Sequence, residues 1–151
     1  MSAIVLPTLE DTHAFGRRLA ALLRAGDLLV LNGPLGAGKT ALVQGIGAGL
    51  GVRGTVVSPT FVIARVHQGP LPLVHVDAYR LGSLDEVDDL DLDVDVADAV
   101  TAVEWGEGKV EQLTDSRLEI LLARDPSSDA RELTLVPQGG DWAARIASLP
   151  A

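Results

Sequence analysis

The sequence contains no cysteine, which excludes disulfides and thiolate metal centres. No apolar run approaches the ~20 residues of a membrane-spanning helix. The N-terminus lacks the charged-then-apolar pattern of a secretory signal. Together these absences lead to the expectation of a soluble, cytoplasmic protein with no membrane partner. Positive charge is also scarce: 21 acidic residues face 12 basic ones, and the only lysines are Lys39 and Lys109. A net charge of −9 lacks the basic footprint that nucleic-acid binding normally needs, so no independent nucleic-acid binding is expected, although the arginines leave room for a local patch. His13, His67 and His75 have no metal-site spacing, and no serine–histidine–acid arrangement stands out. What remains is the composition of a packed domain. With 151 residues, 47% of them hydrophobic, and no repeat or linker, residues 1–151 read as a single domain.

The strongest positive signal is Gly33-Pro34-Leu35-Gly36-Ala37-Gly38-Lys39-Thr40, the G-x-x-x-x-G-K-T pattern of a Walker A phosphate loop. Each fixed position has a physical task. The glycines let successive N–H groups turn inward toward phosphate oxygens. Lys39 brings a positive charge to the outer phosphates, and the Thr40 hydroxyl has the length to ligate Mg²⁺. The context is also right. Leu28-Leu29-Val30-Leu31 is an unbroken apolar run of the kind found in buried parallel strands. Residues 41–46 then carry apolar side chains at helical spacing, with Gly49 or Gly51 as the stop.

Elsewhere the pattern predicts a helix from Thr8 to Gly26, opened by a Thr8–Asp11 capping box with Phe15, Leu19, Leu22 and Leu23 on one face. Strands are expected at Phe61–His67, Leu73–Val76, Ala99–Val103, Arg117–Arg124 and Arg131–Val136. The last two are joined as a β-hairpin across Asp125–Asp129. A capping box at Ser83–Glu86 starts a further helix, and Trp142, Ile146 and Leu149 mark a closing amphipathic one. This order of elements predicts an α/β fold: a mainly parallel central sheet flanked by helices, with an antiparallel β-hairpin at the edge.

Open α/β sheets bind ligands beyond the carboxyl ends of their strands, and phosphate-loop catalysis needs acids there to position Mg²⁺ or water. Asp77 and Glu104 both follow apolar strands and are the candidates, against the plain alternative of strand-end solubility. Eight acids lie between Asp85 and Asp98, alternating with Leu or Val over much of that span. An EF-hand would need glycine where Val96 stands. A solvated face beside a buried one explains the pattern, and a docking surface for a basic partner is the other reading. The Asn-Lys-x-Asp signature of GTPases is absent.

Four segments in order carry a more specific signal: Gly36–Thr40, Ser58-Pro59-Thr60-Phe61, His75-Val76-Asp77-Ala78-Tyr79-Arg80-Leu81 and Val103-Glu104-Trp105. This set resembles the TsaE (YjeE) family, small bacterial P-loop ATPases needed for threonylcarbamoyladenosine beside the anticodon of many tRNAs. The resemblance implies a P-loop NTPase-like fold, ATP and ADP as ligands, Mg²⁺ as cofactor and the proteins TsaB and TsaD as partners. In that family ATP hydrolysis would reset the TsaB–TsaD assembly between turnovers. Carried over residue by residue, Leu35, Gly36, Ala37, Gly38, Lys39 and Thr40 would wrap the phosphates. Thr40 and Glu104 would hold Mg²⁺, Asp77 would support hydrolysis near the γ-phosphate, and Thr60 would sit in a switch-like loop. Lys39, Asp77 and Glu104 form the implied catalytic set. Trp105 either packs beside the metal or fills the core. Arg131 either lies near the nucleotide or is a strand-edge charge. Thr8 and Leu9 would border the adenine. The family often has an acid where this chain has Pro34, and its counterpart of Asp88–Asp98 is less rich in Asp. The runner-up functions are a small-molecule P-loop kinase, for which the arginines are scattered and the chain short, and a nucleotide-binding adaptor.

Overall fold

A computed structural model of the chain describes residues 3–33, 38–52, 64–77, 98–104, 116–124, 130–147 and 149. Over these residues the chain forms β1 (Ala3–Leu6), α1 (Leu9–Ala20), β2 (Leu28–Asn32), α2 (Lys39–Leu50), β3 (Ala64–His67), β4 (Leu73–Asp77), β5 (Val100–Glu104), β6 (Arg117–Arg124), β7 (Arg131–Gln138) and α3 (Trp142–Ala147). The expected helix at Ser83, the Tyr79–Leu81 segment and the acidic run up to residue 97 lie outside the described residues, as do Thr60 and Trp105.

The described strands make one seven-stranded sheet in the order β1-β7-β6-β2-β5-β4-β3. Its centre is parallel: β2 pairs with both β5 and β6, and β5 pairs with β4. The outer pairings β1–β7, β6–β7 and β3–β4 are antiparallel. The sheet is thus mixed α/β with a parallel core, as the order of elements predicts. The β6–β7 hairpin forms in the expected register, from Arg117↔Gln138 to Arg124↔Arg131, but it is not the edge. β1, which no local sequence pattern marks, adds outside β7 and pairs Ala3 with Thr134 and Leu6 with Arg131.

Strand composition follows position. β5 lies between two parallel neighbours and is buried along its whole length. Leu29 and Leu31, with Val100 and Ala102, join Leu118, Ile120, Leu133 and Leu135 in one cluster with Phe15, Leu19, Leu42, Ile46 and Trp142 from the helices. On alternate positions Val30, Val74, Val76 and Val103 are equally buried. A parallel strand covered on both faces has no polar side, which is why these segments read as continuous apolar runs.

Helix α1 opens as predicted. The Thr8 hydroxyl accepts from Asp11 N–H at 3.2 Å, and the Asp11 carboxylate accepts from Thr8 N–H at 3.0 Å. It ends at Ala20, not Gly26: Leu22 and Leu23 N–H groups turn back to Leu19 and Ala20 at 2.9 and 3.1 Å, tightening the chain into turns. Helix α2 closes at Gly51. Gly49, the alternative stop, sits against Ala20 of α1 instead. At Gly45 a side chain is excluded outright, because a Cβ there would collide with the His13 carbonyl. The two helices therefore touch backbone to backbone, and His13 Nε2 meets Gln44 Oε1 at 3.1 Å along the seam. Their close fit fixes where α2 begins, and α2 begins at the candidate site.

Candidate functional site

Three parallel strands bring their carboxyl ends to one place. In register, Leu31 of β2 pairs with Glu104 of β5, and Glu104 pairs with Asp77 of β4. The two predicted acids are thus neighbours on adjacent strands, beside the strand that leads into the glycine-rich loop. Within that loop Leu35, Gly36 and Ala37 lie outside the described residues, so the site is framed by Gly33 before them and Gly38 after them.

Gly38 is the N-cap of α2, with φ 101° and ψ 17°. This is left-handed backbone, which costs glycine little and a side-chain-bearing residue considerably more. No side chain caps the helix, and its first turn carries no acid. The N–H groups of that turn and the positive end of the helix dipole are directed at whatever lies before Gly38, an arrangement suited to an anion. Lys39 follows at once. It is 5% exposed, and its Nζ donates to the Gly33 carbonyl at 2.7 Å, tying the two ends of the loop together. Thr40 is half-buried in the same turn.

Arg131 joins them from the first position of β7. A Cβ built on Gly38 would lie 3.4 Å from Arg131 Nε, so the guanidinium runs directly past the helix start. Arg131 Nη1 also donates to the Ala130 carbonyl at 3.4 Å. Lys39 and Arg131 place two positive charges at an uncapped helix N-terminus.

Glu104 is 6% exposed and makes its hydrogen bond inside the protein. Its Oε2 lies 2.5 Å from Nε2 of His75, a ring with no exposed surface. Sequence spacing gives no sign of this role for His75. The partners are 29 residues apart, and only the β4–β5 register brings them together. A buried carboxylate at a strand end and a hydroxyl in the first turn of α2 are hard oxygen donors, the kind that suit a divalent ion shared with phosphate oxygens. Thr8 and Leu9 stand at the start of α1, Leu9 well exposed.

Among the described residues no helix is long and apolar enough to cross a membrane. The family model for the threonylcarbamoyl adenosine biosynthesis protein TsaE matches residues 6–133. The Streptomyces coelicolor tRNA threonylcarbamoyladenosine biosynthesis protein TsaE is 60% identical over 144 residues, covering 90% of this chain and 97% of its own length. The Bacillus subtilis protein of the same name is 42% identical over 135 residues, covering 88% and 84%. The crystal structure of Bacillus subtilis YdiB superposes with a TM-score of 0.78 at 33% identity, over 97% of this chain and 91% of that one. The chain therefore belongs to the TsaE family of tRNA threonylcarbamoyladenosine biosynthesis proteins.

Proposed function

We propose that this chain is a Mg²⁺-dependent P-loop ATPase, weak by itself, that serves threonylcarbamoyladenosine formation by acting on a TsaB–TsaD assembly in the cytoplasm. The observation that carries the reading is the start of α2. An uncapped helix with left-handed Gly38, buried Lys39 and adjacent Arg131 stands beside the paired strand ends of Glu104 and Asp77. The sequence pattern adds Leu35, Gly36, Ala37 and Thr60 to the residues that would contact ATP or ADP.

The donors present fit the expected ligands. Backbone N–H groups, an ammonium and a guanidinium match phosphate oxygens, and the Thr40 hydroxyl with the Glu104 carboxylate match a magnesium ion. When bound, Mg²⁺ neutralises charge on the outer phosphates. The chain's own residues bind and orient. Lys39 and Arg131 hold the phosphates, the α2 N-terminus fixes their position, and Asp77 supports the attacking water near the γ-phosphate.

Coupling to a partner follows from charge. At −9 with two lysines, the chain is poorly equipped to grip tRNA directly, so the modification machinery must reach it through protein. The loop around Ser58–Phe61 and the Tyr79–Leu81 segment adjoin the site in sequence and are the proposed contacts. Arg80 is available to an acidic partner group or to Asp85. The test is ATP turnover by the purified chain, titrated with the matching TsaB–TsaD complex and separately with tRNA. Slow basal turnover stimulated by the proteins is expected. Fast turnover alone, stimulation by tRNA alone, or phosphate transfer to a small acceptor would overturn the reading, the last in favour of a kinase.

A further inference from the structure

His75 is a buried imidazole that, among the described residues, bonds to a proposed ligand-binding carboxylate. It stands opposite Ala102 in the β4–β5 ladder, and Glu104 is one alternation further along β5 on the same face. With both side chains nearly sealed from solvent, their 2.5 Å contact is shielded from competition by water.

The other ring nitrogen settles which way this bond runs. His75 Nδ1 is buried and has no hydrogen-bond partner among the described residues. If the proton sat on Nδ1, a buried N–H donor would be orphaned, and such donors are rarer in folded proteins than under-satisfied acceptors. With the proton on Nε2, only a lone pair lacks a partner, and Nε2–H donates to Glu104 Oε2. The terminal torsion of a glutamate is soft, so a free carboxylate would rotate. Anchoring Oε2 removes that freedom and leaves Oε1 in a defined place.

We propose that His75 is a positioning residue: its Nε2–H holds Glu104 Oε2 so that Oε1 is the oxygen offered to the metal. This rests on the reading of Glu104 as a magnesium ligand. Outer-shell partners of this kind typically tune metal affinity by about 10–100-fold.

The test measures Mn²⁺ binding to the ADP-loaded protein by electron paramagnetic resonance, alongside ADP binding in EDTA. His75→Phe is expected to leave ADP affinity in EDTA unchanged and to weaken Mn²⁺ by about 10–100-fold. His75→Gln, whose amide can donate from near the Nε2 position, is expected to recover most of that loss. His75→Asn, whose amide reaches only near Nδ1, is not. If His75→Phe does not fold, the Gln and Asn variants decide the matter. Wild-type Mn²⁺ affinity in folded His75→Phe, or in both amide variants, overturns the positioning role. Glu104→Gln separates the two levels. If it weakens Mn²⁺ while the His75 variants do not, only the His75 proposal fails. If it leaves Mn²⁺ binding intact, Glu104 is not a ligand, and both readings fall together.

Discussion

The two ends of the parallel core solve the same problem in opposite ways. At the amino end, just before β2, Asp27 is saturated by the chain itself. Its carboxylate takes the Arg24 N–H at 2.6 Å and two guanidinium bonds from Arg145, at 3.2 and 2.5 Å. Its carbonyl accepts from Thr101 N–H at 3.0 Å. Arg145 also donates to the Leu22 carbonyl and lies over the Trp142 ring at 3.9 Å, which ties α3 to the α1–β2 connection. At the carboxyl end, α2 starts without a side-chain cap, a buried histidine nitrogen has no partner among the described residues, Arg131 runs past Gly38, and Lys39 reaches back to the Gly33 carbonyl. The closed end spends the charged side chains of Asp27 and Arg145 on the fold. The open end instead leaves a helix start uncapped, the capacity that the proposed phosphate site would use.

The largest expected effect lies at the open end. Glu104→Gln keeps size but weakens metal ligation, and ATP turnover should fall by about 100-fold or more, because metal stabilisation of transition-state charge is worth several kcal/mol. Nucleotide affinity should change far less. Asp77→Asn should behave similarly. Lys39→Ala should show the reverse balance: loss of a charge-assisted bond worth about 1.5–3 kcal/mol lowers ATP affinity by roughly tenfold to a hundredfold. Calorimetric binding and steady-state turnover, measured on the same preparations, check both. Wild-type turnover in both acid variants, or unchanged ATP binding in folded Lys39→Ala, would erase the distinction between the two ends.

How much of this was legible before folding depends on sequence distance. The central strands are readable because burial on both faces leaves a nearly continuous apolar run, as at Leu28–Leu31 and, interrupted by Thr101, at Val100–Val103. The Thr8–Asp11 box was readable because both partners sit within one turn. β1 was not marked: four residues long, it gains its meaning only from β7, more than a hundred residues away. The end of α2 stays open between Gly49 and Gly51 in sequence, because a glycine that admits a neighbouring helix looks like one that ends its own. The His75–Glu104 pair and the Arg145–Asp27 pair were invisible for the same reason as β1. Each joins segments whose adjacency is a property of the sheet, not of local spacing.

The closed end should yield a stability effect without a functional one. Side-chain exposure of Arg145 and Asp27 is only 11% and 12%, so removing one partner strands the other away from water. Arg145→Ala should cost about 3 kcal/mol, or roughly 6–12 °C in Tm for a domain of this size. Pairing Arg145→Met with Asp27→Asn should recover part of the loss, because no uncompensated charge then remains. Thermal and urea unfolding measure the cost, and ATP affinity of the folded variant should match the wild type. A loss of affinity comparable to that of Lys39→Ala would show that the two ends are coupled through β2.

The smallest effect sharpens the same boundary at its surface. Asp141 bonds Arg24 just outside the Asp27 cluster, and it is more than half exposed. The Arg24 hydrogen bond, helped by the nearby positive charges of Arg24 and Arg145, holds its carboxyl below the ordinary value of 3.8. A carboxyl whose folded value is depressed contributes stability that is in place above its unfolded value and is lost as pH falls through the folded one. Asp141→Asn should therefore lower stability slightly at neutral pH, and the difference from wild type should start to shrink near 3.8 and vanish once the pH is below the depressed folded value. Because the pair is exposed, 1 M salt should shrink the neutral-pH difference as well. Urea titrations of both proteins at neutral and acid pH, in low and high salt, read this directly. If Asp141→Asn costs as much as Arg145→Ala at neutral pH, the closed end extends to the surface and its clamp is a wider network than the buried pair alone.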